Sequence, residues 1–360
     1  MSRLTCRWVV MLFFALTACG SEEGMREQMV NLEAVSVEDP EKQLVNLSEA
    51  IERSRRDGSL YARRAMVFLR KGELDKALED ADKAIELSKQ EPANYFVKAQ
   101  VLYLMGRSEE ALPLALQAER NSFENASLYV LLSELYLQRH EYKKAERFIR
   151  QALELAPEDV YATYYYGRVQ EATGDTTRAM QSYQEALMLK PDFVEPHREL
   201  AGLYLALAEY IPARAHTQQA LRLEQKDPKL WYYDGMLQLN AQRRDSAEQS
   251  FQQALALSDT LQAAHYQLAL LMHGKGEYER AMQHLDGAAE TYGNSLRFLS
   301  VLASSYEKLG ENLEALRTYE RMVALEPKHT YALQSMARLR YRLERPRPQL
   351  DSMAVRQRGY

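Results

Sequence analysis

Few side chains in this sequence could do covalent or metal chemistry. There are two cysteines, Cys6 and Cys19, and seven histidines. Two cysteines exclude a disulfide framework. No histidine falls in HExxH or in a Cys/His cluster with metal-ligand spacing. His265 and His273 are eight residues apart, about two helical turns, so both could face one side of a helix. A metal there would need further ligands. No phosphate-binding loop, dinucleotide glycine fingerprint or GxSxG elbow is present. The sequence therefore predicts no catalytic residues, no metal site and no cofactor. The remaining notable residues are the 23 tyrosines, with runs at Tyr164-Tyr165-Tyr166 and Tyr232-Tyr233. A tyrosine ring is stiff and apolar with a polar tip, which suits it to recognition of a peptide or folded partner.

The N-terminal segment reads as an address. Arg3 and Arg7 make a positive region, and Trp8 to Leu16 is an apolar run too short to span a bilayer, which needs about 20 residues. It ends in Leu16-Thr17-Ala18-Cys19-Gly20. This resembles the lipobox of bacterial lipoproteins. The resemblance implies removal of residues 1–18, a diacylglycerol thioether on Cys19 and acylation of its amino group. Two or three acyl chains anchor firmly where one is marginal. Residues 19–40 are polar and acidic, and such a tether of about 20 residues would reach roughly 25 Å. Gly20 is not the aspartate that resembles an inner-membrane retention signal, so the expectation is the outer membrane. Ser21-Glu22-Glu23 is similar to the acidic surface-export signals of some lipoproteins, and also fits a plain solvated tether.

The rest of the chain is periodic. Ala77, Ala111, Ala145, Ala179, Ala213, Ala247, Ala281 and Ala315 recur at intervals of 34 residues. A second series, Ala84 to Ala288 closing on Met322, lies seven residues later, and a third, Ala65 to Ala303, lies twelve earlier. Glycines precede the first series by five at Gly72, Gly106, Gly174, Gly276 and Gly310. Small residues let packed helices approach, and a glycine after a helix can take the left-handed conformation that caps it. Leu155, Leu189, Leu223, Leu257 and Leu325 recur with the same period and are expected to fill the remaining contacts. The pattern resembles the tetratricopeptide repeat (TPR) family over roughly residues 58–337. The resemblance implies an all-α superhelical solenoid of about eight helix-turn-helix repeats over 58–329. Half-repeat caps are expected at 41–57 and 330–344, followed by a basic Pro/Arg-rich tail at 345–360. His140, Ala208 and Gln242 replace the turn glycine, with an expected loss of local capping. Arg64 and Lys98 stand where the family has apolar residues and are expected to extend their charged ends to solvent. Asp234, at the same position, is expected to be hydrogen-bonded or partly exposed.

In the resemblance, the first helix of each repeat lines a concave groove that holds a protein or peptide. By register the inward positions include Phe96, Tyr103, Tyr161, Tyr164, Arg168, Arg198, Tyr232, Met236, Tyr266 and Tyr331. The same rings could instead pack between helices. The chaperone-type carboxylate clamp has asparagine where this sequence has Val97, Leu131, Tyr165, Glu199, Tyr233, Gln267 and Val301, so that mode is disfavoured. A net charge of −5 also argues against general nucleic-acid binding, which needs a basic face. From Arg338 to Arg358 seven arginines meet only Glu344 and Asp351. That end could meet an anionic surface or simply be solvated. The functional expectation is a lipid-anchored, non-catalytic scaffold of a bacterial envelope complex. The alternative is a carbohydrate-binding component using the groove tyrosines.

Overall fold

The computed structural model describes residues 39–344, and these form eighteen α-helices and no strand. Cys19, the segments 1–18 and 19–38, and the tail from 345 to 360 lie outside the described residues. The chain divides into two compact units, with the border between Tyr233 and Asp234. In the first, helix Pro40–Arg53 precedes five antiparallel hairpins. These are Gly58–Arg70 with Leu74–Leu87, Pro92–Leu104 with Ser108–Arg120, and Ala126–Gln138 with Tyr142–Leu155. Val160–Ala172 with Thr176–Leu189 and Val194–Ala206 with Tyr210–Leu223 complete that stack. The border falls within helix Pro228–Asn240. In the second unit Arg244–Leu257 is followed by the hairpins Gln262–Lys275 with Tyr278–Tyr292 and Leu296–Leu309 with Asn312–Leu325, and then by Thr330–Glu344.

The three periodic series explain the stacking. Every residue of all three is buried, including Ser133, Gly167 and Gly235 in the third. Ser133 uses its hydroxyl to donate to the Ala145 carbonyl at 2.9 Å, so even the polar member is satisfied. Gly167 and Gly235 leave room for a ring rather than for backbone: a Cβ on Gly167 would stand 2.6 Å from the Tyr183 ring, and one on Gly235 would overlap Phe251. Within each unit some first helices of successive hairpins touch, as Ala126–Gln138 does Val160–Ala172. One hairpin cannot cover its own apolar side, so a continuous core runs from Leu69 to Leu200 in the first unit, and another from Tyr266 to Leu339 in the second.

Three expectations need correction. Leu155, Leu189, Leu223, Leu257 and Leu325 are 36% to 53% exposed, because the series falls at the open end of each second helix. Arg64 does not extend to solvent: Nε and Nη2 grip both oxygens of the buried Asp80 at 2.7 and 2.8 Å. His140, Ala208 and Gln242 keep the left-handed turn, with φ of 59°, 58° and 59°, so their burden is backbone strain rather than a missing cap. Of the terminal arginines, Arg338 and Arg342 reach Glu307 at 2.9 and 3.5 Å and Arg340 reaches Glu320 at 3.1 Å.

Candidate partner-binding face

The ten residues read from register divide by burial. Phe96, Tyr103, Tyr164, Arg198 and Tyr266 are buried, Tyr161, Arg168, Tyr232 and Met236 are half-buried, and Tyr331 is exposed. Several of the rings pack between helices. Phe96 lies 5.4 Å from Phe123, Tyr161 meets Phe193 edge-on at 5.3 Å, and Tyr266 stacks on Tyr292 at 4.4 Å. Tyr164 has no exposed surface and touches Tyr165, Tyr183 and Phe193 at 5.1 to 5.6 Å. In this conformation its ring cannot reach a partner. Tyr331 turns its edge to Tyr319.

What the first helices do present, in the unit ending at Tyr233, is a partly enclosed polar network. Arg198 Nε and Nη2 both donate to Glu199 Oε1, at 3.1 and 2.7 Å, and Nη1 donates to Asp227 at 3.0 Å. The Tyr164 hydroxyl donates to Glu199 at 3.4 Å, the Tyr103 hydroxyl to Glu134 at 3.4 Å, and the Tyr183 hydroxyl to Glu171 at 2.6 Å. Arg168 stands among them, one turn after Tyr164. Its guanidinium makes one hydrogen bond among the described residues, to the Tyr164 hydroxyl at 3.3 Å, and no ion pair. A guanidinium carries five N–H donors, so most of its capacity is unused.

The charges around Arg168 are unequal in character. Burial works to raise the Glu199 carboxyl, but Arg198 and then Arg168 outweigh it and hold the group at about 2. Burial pushes the Glu171 carboxyl up, with Glu199 adding to the effect, and burial likewise raises Glu195. Glu195 also keeps one buried oxygen, Oε2, with no hydrogen-bond partner among the described residues. Burial, assisted by Glu195, pushes the Tyr161 hydroxyl to about 12. Two of the nearby carboxyls are thus harder to ionise than usual, while both arginines stay charged. The arrangement offers charged N–H donors to an incoming carboxylate. Glu134, Glu171 and Asp227 were not legible as site residues; Glu199 left one sign, a negative charge where no other repeat carries one.

The histidines come together in a way the linear spacing did not show. His265 pairs with His284 across its own hairpin, and His273 bonds Ser304 instead. No group of three or more potential metal ligands occurs among the described residues.

Family descriptions of the tetratricopeptide repeat match residues 62–127, 96–159, 130–192 and 170–233. Residues 62–233 are therefore tetratricopeptide repeats. The TPR hairpins continue in the same 34-residue register to Leu325. Among curated proteins, Superkiller protein 3 of Schizosaccharomyces pombe is 26% identical over 203 residues, 54% of this chain and 15% of that protein. The matches span 15% to 48% of the curated relatives' own lengths. Among solved structures, the hetero-tetramer Cut9–Hcn1 of the APC/C is similar with a TM-score of 0.61 and 19% identity, over 87% of this chain and 62% of that one. A human IFIT1 dimer with m7Gppp-AAAA is similar with a TM-score of 0.56 and 17% identity, over 78% of this chain and 76% of that one. These likenesses establish the TPR fold of the chain: all-α hairpins at a 34-residue period. TPR proteins in general mediate protein–protein interaction.

Proposed function

We propose that this chain is a non-catalytic TPR scaffold of a bacterial envelope, held at the outer membrane by lipid on Cys19 and binding a protein through its first helices. Arg168 carries the binding part of the reading. Arg168 is a partly exposed residue whose guanidinium has one hydrogen bond to its own chain; it is poised for a second partner, and carboxylates are its strongest match. The anchoring part rests on the sequence from Arg3 to Gly20; none of the described helices is long and apolar enough to cross a membrane. The glycan alternative loses support from Tyr164, whose buried ring cannot stack on a sugar.

A photo-crosslinker placed at Arg168 in cells should capture a discrete envelope protein, and one placed at the exposed second-helix residue Gln218 should not. Equal capture from both positions would remove the binding assignment. Cys19→Ser should abolish labelling by a palmitate analogue and release the chain from membranes. Persistent labelling would remove the anchor.

A further inference from the structure

Two histidine pairs occupy the same place in two hairpins. His197 and His216 bring Nδ1 to Nδ1 at 2.8 Å, and His265 and His284 do so at 3.0 Å. The members of each pair are 19 residues apart, one on the first helix and one on the second. The pairs are 68 residues apart, two repeats. In both, the first histidine turns Nε2 to a backbone oxygen of the preceding loop, Pro191 at 3.2 Å or Asp259 at 2.9 Å. A carbonyl can only accept, so Nε2 carries the proton and Nδ1 presents its lone pair to the partner ring. A histidine whose far N–H is held by a carbonyl is in the orientation typical of a metal ligand.

The second ring is equally prepared. Between two nitrogens at this distance sits one proton, donated by Nδ1 of His216 or His284. Nε2 of these two residues has no partner among the described residues, so the proton can move there and free a second Nδ1 lone pair; a rotation of the two rings then aims both lone pairs at one point beside the N–N line. Tyr204 stacks on His216 at 5.6 Å and fixes its plane. At the other pair Gly287 makes room for His265, since a Cβ there would lie 2.8 Å from the ring. All four imidazoles are half-buried, so water can complete a coordination sphere.

We infer that each histidine pair is a binding site for a divalent transition metal of the Cu2+ or Ni2+ type. The spacing selects the class. Two nitrogens 2.8 to 3.0 Å apart, each about 2.0 Å from an ion, subtend about 90°. That is the angle between neighbouring ligands in square-planar or octahedral geometry. A tetrahedral ion at the same bond length would need them about 3.3 Å apart. Both ligands are neutral imidazoles, which suit copper and nickel, and copper binds most tightly in this row.

The test is titration of the full chain, prepared without a histidine tag, with CuCl2 and separately NiCl2, followed by calorimetry and by Cu2+ electron paramagnetic resonance. Two equivalents of Cu2+ should bind, each with two nitrogen couplings. H216N and H284N retain a side-chain N–H that can still donate to His197 or His265, so the hairpins should remain closed by circular dichroism. Each substitution should remove one equivalent, and the double variant both. Unchanged stoichiometry in the folded double variant, or no saturable Cu2+ binding by the wild-type chain, would overturn the assignment.

Discussion

Arg198 and Asp227 are 29 residues apart in sequence and meet at 3.0 Å with 5% and 3% of their side chains exposed. Glu199 completes the charge balance on the other side of the guanidinium at 2.7 Å. A buried ion pair adds little net stability against an apolar replacement, but one partner left alone is severely unfavourable. Asp227→Ala should therefore destabilise the chain by about 3–5 kcal/mol. Part of the loss belongs to the start of helix Pro228–Asn240, where Asp227 accepts from the Lys229 backbone N–H at 2.8 Å. Replacing the whole group together, with Arg198→Met, Asp227→Asn and Glu199→Gln, should recover much of it. Urea unfolding followed by circular dichroism measures both, and a single-variant loss under about 1 kcal/mol would contradict the desolvation argument.

Glu195 and Glu199 should respond to pH with opposite signs. Glu199 is held at about 2 against an ordinary value of 4.5, so its stabilisation is present above the ordinary range and is lost as pH falls toward 2. Burial raises Glu195 above that same 4.5, so its burden appears as pH rises through the ordinary carboxylate range. Glu195→Gln should raise the melting temperature at pH 7 and leave it nearly unchanged at pH 4. Glu199→Gln should lower it at pH 7, with a difference that shrinks below pH 4. Matching pH profiles for the two variants would show that burial and the arginines do not act on them separately.

The left-handed turns predict small gains. A non-glycine residue in this conformation carries strain of about 1–2 kcal/mol, and glycine returns part of that as unfolded-state entropy. Ala208→Gly and Gln242→Gly should each stabilise by about 0.5–1 kcal/mol. His140→Gly should gain less, because His140 Nδ1 and the Tyr142 hydroxyl share a hydrogen bond of 3.0 Å. The reverse change, Gly174→Ala, meets no atom within 4 Å at φ 85°, so any loss it causes measures the backbone alone.

The hairpin stack was legible because small residues recur where helices must approach, and that constraint repeats every 34 residues. Polar partners were hidden because they join the two helices of a hairpin at separations a single-helix reading passes over. Arg64 with Asp80 and Asp234 with Ser250 are both 16 apart and occupy equivalent positions five repeats from each other. The aspartate expected to be hydrogen-bonded, Asp234, is so, accepting from the Ser250 hydroxyl at 2.6 Å. His265 was compared with His273 on its own helix, while its partner His284 is 19 residues on, beyond the turn. The face positions followed from register, but register gives direction and not exposure. That is why Tyr164 and Arg168, one turn apart, differ: the ring is sealed by Phe193 and Tyr183, and the arginine residue keeps part of its surface exposed.

Gly167 makes the packing argument testable at one atom. It belongs to a series in which alanine is the commonest residue, so alanine looks harmless there, and in a helix interior it should gain about 1 kcal/mol of propensity. The structure reverses that expectation. The new Cβ would lie 2.6 and 2.7 Å from the Tyr183 ring and 3.3 Å from the Ala179 carbonyl. Tyr183 is fully buried and its hydroxyl is tied to Glu171 at 2.6 Å, so the ring cannot withdraw without breaking a partly buried hydrogen bond. Overpacking of this kind costs about 1–3 kcal/mol, which leaves Gly167→Ala neutral at best and destabilising by up to about 2 kcal/mol. Adding Tyr183→Leu removes the ring, and alanine at 167 should then be favourable relative to glycine. A double-mutant cycle by thermal unfolding reads the sign change; if alanine destabilises equally with either residue at 183, the Tyr183 ring is not what requires glycine at this position.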